Sequence, residues 1–424
     1  MPMTISIAYV DGTPITQLIV ESSTTVSELK QTVASITGKA SHDLRLLLDI
    51  RELADPNASL ASISLGDGAL VTALIVKVSR VFTVSREGIA RIWDSETGEC
   101  LLTFTAILDF RTSCAEFSPD GHRILTGDDT GVAKIWRAES GECLLTISGH
   151  NDGLGGASFS PDGTRVLTRT CPGYSVSVWN AESGEHLWTS SEEVVYEAHF
   201  SPDGSQVVTS SGKNVAKLHS VETGSLLATF SGHTVRVDED GDEMSAIDDA
   251  VFSMDGGRVV TAARDGTARV WSTESCECLV TLSGHEGDVR TAAFSPDGSQ
   301  VATASEDGTA KLWSAGNGEL LLTLSHDAKG LSRRQRYVNC AVFSPDGRKV
   351  ITSSRIPDTR LWDVATGDCL LTVPGYYRAA DFARGRIFTD DGDDDVMVWD
   401  IDSDKHLMTL GGHESGVACM AVLQ

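Results

Sequence analysis

The 424-residue chain is 41% hydrophobic, holds 40 glycines and carries a formal net charge of −26, which allows two domains and suits a turn-rich β protein. Residues 1–79 hold five basic and eight acidic side chains, so the remainder carries −23 of that charge. A field of this sign repels phosphate backbones and attracts basic protein surfaces, which argues against a nucleic-acid ligand. No apolar run approaches a membrane span and residues 1–6 contain no signal-peptide core, so the sequence predicts a cytoplasmic or nuclear protein with no membrane partner.

Residues 3–7 alternate apolar and polar, turn at Asp11-Gly12 and resume over 15–20, which predicts a hairpin. Ser22-Ser23-Thr24 supplies helix caps ahead of Val26, Leu29, Val33 and Ile36, whose spacing predicts an amphipathic helix ended by Gly38. A strand over 44–48, a short turn over 60–63 and a strand over 70–78 complete the region. This β-β-α-β-β order is similar to ubiquitin. The matching residues are Met3 and Ile5, Thr25-Val26 with Leu29-Lys30, Asp43-Leu44-Arg45-Leu46-Leu47 followed by Glu52-Leu53, and Leu60, Ser62 and Ile63. Ile50 stands where ubiquitin has a turn glycine, and the last strand runs on into Val81 in place of a mobile Gly-Gly tail. The resemblance therefore implies a fixed α+β ubiquitin-like (β-grasp) domain over 1–78 that takes no part in conjugation. It also implies that Leu47 points outward and joins Val10 and Ala73 or Leu74 in an apolar patch. That patch either grips a partner or packs on the following domain.

From residue 79 onward one unit recurs with drift, seen most clearly in residues 294–313, FSPDGSQVATASEDGTAKLW. A first apolar run ends in a Ser-Pro-Asp-Gly turn, a second alternates over 301–305, a third closes on Trp313, and a fourth begins near Leu320. The residue closing the third run is Trp93, Trp136, Trp179, His219, Trp271, Trp313, Trp362 and Trp399 in turn. Four strands in about 42 residues is the unit of a propeller blade. With Gly-His dipeptides at His150, His233, His285 and His413, residues 79–424 resemble the WD-repeat β-propeller family. The first unit lacks its first strand, and the chain ends in a lone strand over 417–422. Pairing the two ends would close a mainly β ring of eight blades. A seven-bladed ring, omitting the His219 unit, is the alternative.

The resemblance implies a hydrogen-bonded set within each blade. Two units supply every member: His285, Thr303 or Ser305, Asp307 and Trp313; and His233, Thr261, Asp265 and Trp271. Their recurrence favours a structural over a catalytic Ser-His-Asp role. Glu87, Thr130, Gly173, Lys213 and Ile356 stand where other units would carry Asp. Cys100, Cys143, Cys278 and Cys369 share the register that opens the fourth strand. Separate blades cannot pair them or let them share a metal, and they read as small buried hydrophobes.

Three insertions break the repeat: residues 234–247, with Asp238, Asp240 and Asp242; residues 327–336, with Arg333, Arg334 and Arg336; and residues 390–395. In a propeller these loops emerge on one face, which reads as a binding surface. The aspartates resemble the start of a calcium loop, but glycine falls at the wrong position, and no metal or cofactor is expected. The sequence thus predicts a non-enzymatic scaffold or adaptor, one chain within larger complexes, for proteins with basic surfaces as well as acidic motifs. The alternative is a propeller hydrolase or lyase acting at the central channel.

Overall fold

The structure, a computed structural model, describes residues 2–423 except 10–13, 22, 38–43, 49–50, 54–57, 61–62, 64–68, 76–79, 107–111, 172–174, 191–193, 238–242, 245, 327–336, 355–358, 374–381, 384–385, 391–394, 402, 404 and 414. The chain divides into two compact units, Met1–Ser79 and Arg80–Gln424.

The first unit contains β1 (Pro2–Tyr9), β2 (Pro14–Glu21), α1 (Val26–Thr37), β3 (Leu44–Leu48), β4 (Arg51–Glu52) and β5 (Ala69–Ile75). Its sheet runs in the order β2-β1-β5-β3-β4, with β1 and β5 parallel and the other pairs antiparallel. Alternation along the strands sends Ile5, Ile7, Leu46 and Val71 to one face, where Val26, Leu29 and Val33 of α1 cover them. The helix cap falls one residue later than the sequence reading places it. Thr25 Oγ1 accepts the Glu28 amide at 3.2 Å and the Glu28 carboxylate accepts the Thr25 amide at 2.8 Å, a reciprocal capping box. Ile36, expected on the buried stripe, is 46% exposed because the helix has passed the end of the core.

The second unit holds eight four-stranded antiparallel sheets and one two-stranded ribbon among its described residues. The sheets are numbered here in chain order. Sheet 1 comprises Arg80–Ser85, Ile89–Asp94 and Cys100–Thr105, with the C-terminal strand Val417–Val422 paired to Arg80–Ser85 as its first strand. The first strands of sheets 2 to 8 are Thr112–Phe117, Leu154–Phe159, Val195–Phe200, Ile247–Phe252, Val289–Phe294, Val338–Phe343 and Phe382–Ala383.

Each Ser-x-Asp-Gly turn between first and second strands is held by its own side chains. In sheet 6 the Ser295 hydroxyl donates to Asp297 Oδ1 at 2.6 Å, Asp297 accepts the Ser299 amide at 3.0 Å, and Gly298 takes φ +69°. The same Ser–Asp bond recurs at Ser118, Ser160, Ser201, Ser253 and Ser344. The second strands are buried on both faces, so neighbouring residues serve different cores. Ile124 packs with Phe82, Phe117 and Trp136 between sheets 1 and 2, whereas Leu125 packs with Phe159, Val166 and Trp179 between sheets 2 and 3. Shared cores continue from sheet to sheet, and the last joins sheet 8 (Phe388, Val398) to sheet 1 (Val81, Trp93, Met420).

The His219 unit is a complete sheet, ordered like its neighbours. Trp188, from the fourth strand of sheet 3, stacks on His219 with ring centroids 5.9 Å apart and donates Nε1–H to the Val221 carbonyl at 2.8 Å. It supplies the indole that this position lacks. One expectation is corrected: Cys100, Cys143, Cys278 and Cys369 are exposed. They open fourth strands, which form the outer edges of the sheets, and each thiol contacts a threonine hydroxyl three residues on at 3.4–3.7 Å.

Removing residues 415–424 takes away the first strand of sheet 1 and the buried side chains of Met420, Val417 and Val422. The truncated chain should aggregate or melt lower by about 10 °C or more. Thermal denaturation checks this, and an unchanged Tm contradicts it.

Candidate functional site

Three sets of polar residues were candidates: the His/Thr/Asp/Trp constellations, the inserted loops, and the axis onto which the first strands face. In the first constellation Trp271 Nε1–H donates to Thr261 Oγ1 at 2.9 Å. His233 Nε2 lies 2.7 Å from that hydroxyl, and His233 Nδ1 lies 3.0 Å from Asp265 Oδ2. The second has Trp313 donating to Thr303 at 2.8 Å, His285 Nε2 at 2.7 Å from the hydroxyl and Nδ1 at 2.8 Å from Asp307. Of the two hydroxyls weighed in the sequence, Thr303 meets the histidine, whereas Ser305 accepts the Asp307 amide at 3.1 Å.

The indole can only donate, so with a neutral imidazole the bonds run one way: Trp N–H to Thr, Thr O–H to His, and His N–H to Asp. The His233 and His285 side chains are 0% and 1% exposed, Asp265 and Asp307 3% and 9%. A hydroxyl held between indole and imidazole inside a sheet has no room for a substrate, and these sets fasten the third strand to the second. The Thr–Trp bond recurs at Thr83–Trp93, Thr126–Trp136, Thr168–Trp179, Thr352–Trp362 and Thr389–Trp399. Histidine joins it at His413, His150 and His326.

Burial opposes charge on Asp265 and Asp307. The bonds from histidine, from Thr267 or Thr309 and from the backbone amide of Thr234 or Glu286 outweigh it, and both carboxyls sit well below their ordinary range. Carboxylates depressed on folding contribute stability that is complete above the unfolded value of about 4 and is lost as pH falls through the lower folded value. Replacing both aspartates, D265N with D307N, should therefore lower Tm at pH 7, at a cost of about 1–3 kcal/mol per site. It should also flatten the fall of Tm below pH 4. Parallel Tm curves for wild type and variant from pH 7 to 2.5 would contradict this assignment.

The loop candidates Asp238, Asp240, Asp242, Arg333, Arg334 and Arg336 lie outside the described residues, as does Val10. Leu47 lies in β3 opposite Thr72, but its side chain is outside the described set. The acidic insertion is bracketed by a ribbon that the sequence reading does not contain: Arg236 pairs with Met244 and Val237 with Glu243.

The axis carries charge that the sequence reading missed. Arg290 of sheet 6 pairs with Asp248 of sheet 5 at 2.8 Å and with Glu306. Arg264 reaches the other oxygen of Asp248 at 2.9 Å and lies over the Tyr196 ring of sheet 4. Arg169 of sheet 3 meets Glu197 of sheet 4 at 3.0 Å. His199 Nε2 of sheet 4 is 3.5 Å from Asp249 of sheet 5. The His199 side chain is 44% exposed and that of Asp249 10%. Burial works against its charge, but the Asp249 bond and the charges of Asp249 and Glu197 raise its proton affinity overall. Glu116 of sheet 2, by contrast, is pushed up to about 8, chiefly by burial. The legible signal was positional: the first strands TSCAEF, VYEAHF, IDDAVF and VRTAAF carry charged side chains where LGGASF, VNCAVF and VACMAV do not.

Among the described residues, no three His, Cys, Asp or Glu side chains are grouped so as to hold a metal ion, and no helix is long and apolar enough to cross a membrane.

The family model described as "WD domain, G-beta repeat" matches residues 98–137, 141–180, 224–272 and 276–314. Each matched segment spans the fourth strand of one sheet and the first three of the next. No curated protein matches the chain. Among solved structures, the crystal structure of the computationally designed Ika8 protein (crystal packing No.1 in P63) is similar. It has 25% sequence identity and a TM-score of 0.59, and the match covers 72% of this chain and 89% of that one. The chain therefore carries WD40 repeats, set in repeated four-stranded antiparallel sheets like those of a WD β-propeller.

Proposed function

We propose that this protein is a non-enzymatic interaction scaffold: a closed propeller of eight blades over residues 79–424, preceded by a ubiquitin-like domain over residues 1–78. WD40 repeats generally mediate protein–protein interaction. The observation that carries the reading is the fate of the polar groups. The histidine sets are sealed inside sheets, and the arginines on the axis are paired with carboxylates of neighbouring sheets. Chemistry that resembles catalysis in the sequence is thus engaged in holding strands, leaving the loop face as the surface where the repeat was extended. The order β2-β1-β5-β3-β4 with one covering helix supports the ubiquitin-like reading of the first unit. The patch of Val10 and Leu47 is its proposed contact.

On the loop face, Arg333, Arg334 and Arg336 would meet acidic motifs through charge-assisted bonds, and Asp238, Asp240 and Asp242 would meet basic surfaces. The enzyme reading keeps one observation in its favour, the approach of a half-exposed His199 to Asp249. The pairing of His199 with Asp249, which also accepts the Ala292 amide, favours a positioning role.

Replacing the three arginines with alanine should leave Tm within about 1–2 °C of wild type, since exposed charges contribute about 0–1 kcal/mol each. The same change should weaken capture of partners more at low salt than at high salt. Identical capture profiles across salt would remove this face as the binding surface.

A further inference from the structure

The first strand of sheet 5, Ile247–Phe252, opens directly after the acidic insertion and carries two adjacent aspartates. Asp248 is held by Arg264 at 2.9 Å and by Arg290 at 2.8 Å. Asp249 is 7% exposed, and its two oxygens stand in different surroundings. Oδ2 accepts the Ala292 amide of sheet 6 at 3.4 Å, whereas Oδ1 is buried and accepts no hydrogen bond from the described residues. His199 Nε2 of sheet 4 lies 3.5 Å from Oδ1, beyond the ordinary bond length of about 2.7–3.2 Å. A buried carboxylate oxygen in this state costs stability unless a donor moves onto it.

We propose that this contact is a proton-operated joint: when His199 is protonated, its Nε2–H donates to Asp249 Oδ1 and fastens sheet 4 to sheet 5. The imidazolium supplies a charge-assisted bond, and a neutral imidazole offers at most one of about half that strength. Asp249 then ties three successive sheets, through His199 of sheet 4, its own strand and the Ala292 amide of sheet 6. Its chain neighbour Asp248 holds Arg264, whose backbone amide donates to Ala246 at the end of the insertion. The joint therefore also anchors the charged cluster that follows the inserted loop.

The groups that face His199 set the direction of the response. Asp249 comes from sheet 5, Glu197 from its own strand, Arg169 from sheet 3 and Glu116 from sheet 2. Burial lowers the proton affinity of His199, but Asp249 and Glu197 together outweigh burial and Arg169. Glu116, pushed up to about 8 by burial, is largely protonated near pH 7, and where it ionises it helps His199 to keep its proton. A histidine raised on folding contributes stability that is complete below the unfolded value of about 6.5 and is lost as pH rises through the folded value. The joint is closed at mildly acidic pH and loosens as the medium turns alkaline.

Hydrogen exchange on the full chain at pH 6 and pH 8.5, corrected for the chemical exchange rate at each pH, tests the joint. In wild type the protection of Ile247–Phe252 relative to Gln300–Ser305 should fall about two- to fivefold as pH rises, the size expected of a partly exposed ion pair. In His199→Asn, a change at a half-exposed side chain, that ratio should stay level. The ring carbon signal of His199, assigned by its loss in the same variant, should titrate in wild type above the ordinary value of about 6.5. It should titrate lower in Asp249→Asn, and the wild-type titration stands even where that variant fails to fold. A wild-type protection ratio that does not change with pH, an equal response in His199→Asn, or a His199 titration at or below the ordinary value would each overturn the proposal.

Discussion

The second unit depends on a single pairing, that of Val417–Val422 with Arg80–Ser85. Each sheet buries both faces, one against the sheet before it and one against the sheet after it, so no sheet can be last without exposing a core. The register Met420–Thr83 and Ala421–Phe82 solves this by making the two ends of the unit one sheet. Phe82 then serves the core shared with sheet 2, while Val81 and Met420 serve the core shared with sheet 8. Stability is therefore distributed around the ring and conditional on one joint.

Within that ring the polar residues divide by depth. Threonine and tryptophan tie strands two and three together inside the sheets, and histidine and aspartate extend the tie to the loop before the first strand. At the axis, arginine and carboxylate tie one sheet to the next. Both are ways of satisfying buried donors and acceptors that a two-faced sheet cannot send to water. Glu116 departs from the pattern: burial pushes its carboxyl up to about 8, and its nearest partner is the Phe159 backbone amide.

Much of this was legible in the sequence for local reasons. Ser-Pro-Asp-Gly fixes a turn through its own side chains, and a Trp every forty or so residues fixes the third strand, so repeated four-stranded sheets could be expected before being seen. The closing strand was legible because the first unit lacked one and the end of the chain had one to spare. What escaped depends on neighbours distant in sequence. Trp188 rescues the His219 unit from another sheet, and Asp248 pairs with Arg290 forty-two residues away. Cys100 and its counterparts were misread as buried because an apolar strand at an outer edge has the same composition as one inside. Ile36 was misread because helical spacing marks a stripe without saying where the core beneath it ends.

Native-state hydrogen exchange on the full chain tests the closed ring most directly. If the joint is integral, amides of Val417–Val422 and Arg80–Ser85 exchange only through global opening, as slowly as those of Gln300–Ser305 in sheet 6. Exchange of the C-terminal strand on the timescale of a fraying end, with Gln300–Ser305 still protected, would contradict the account.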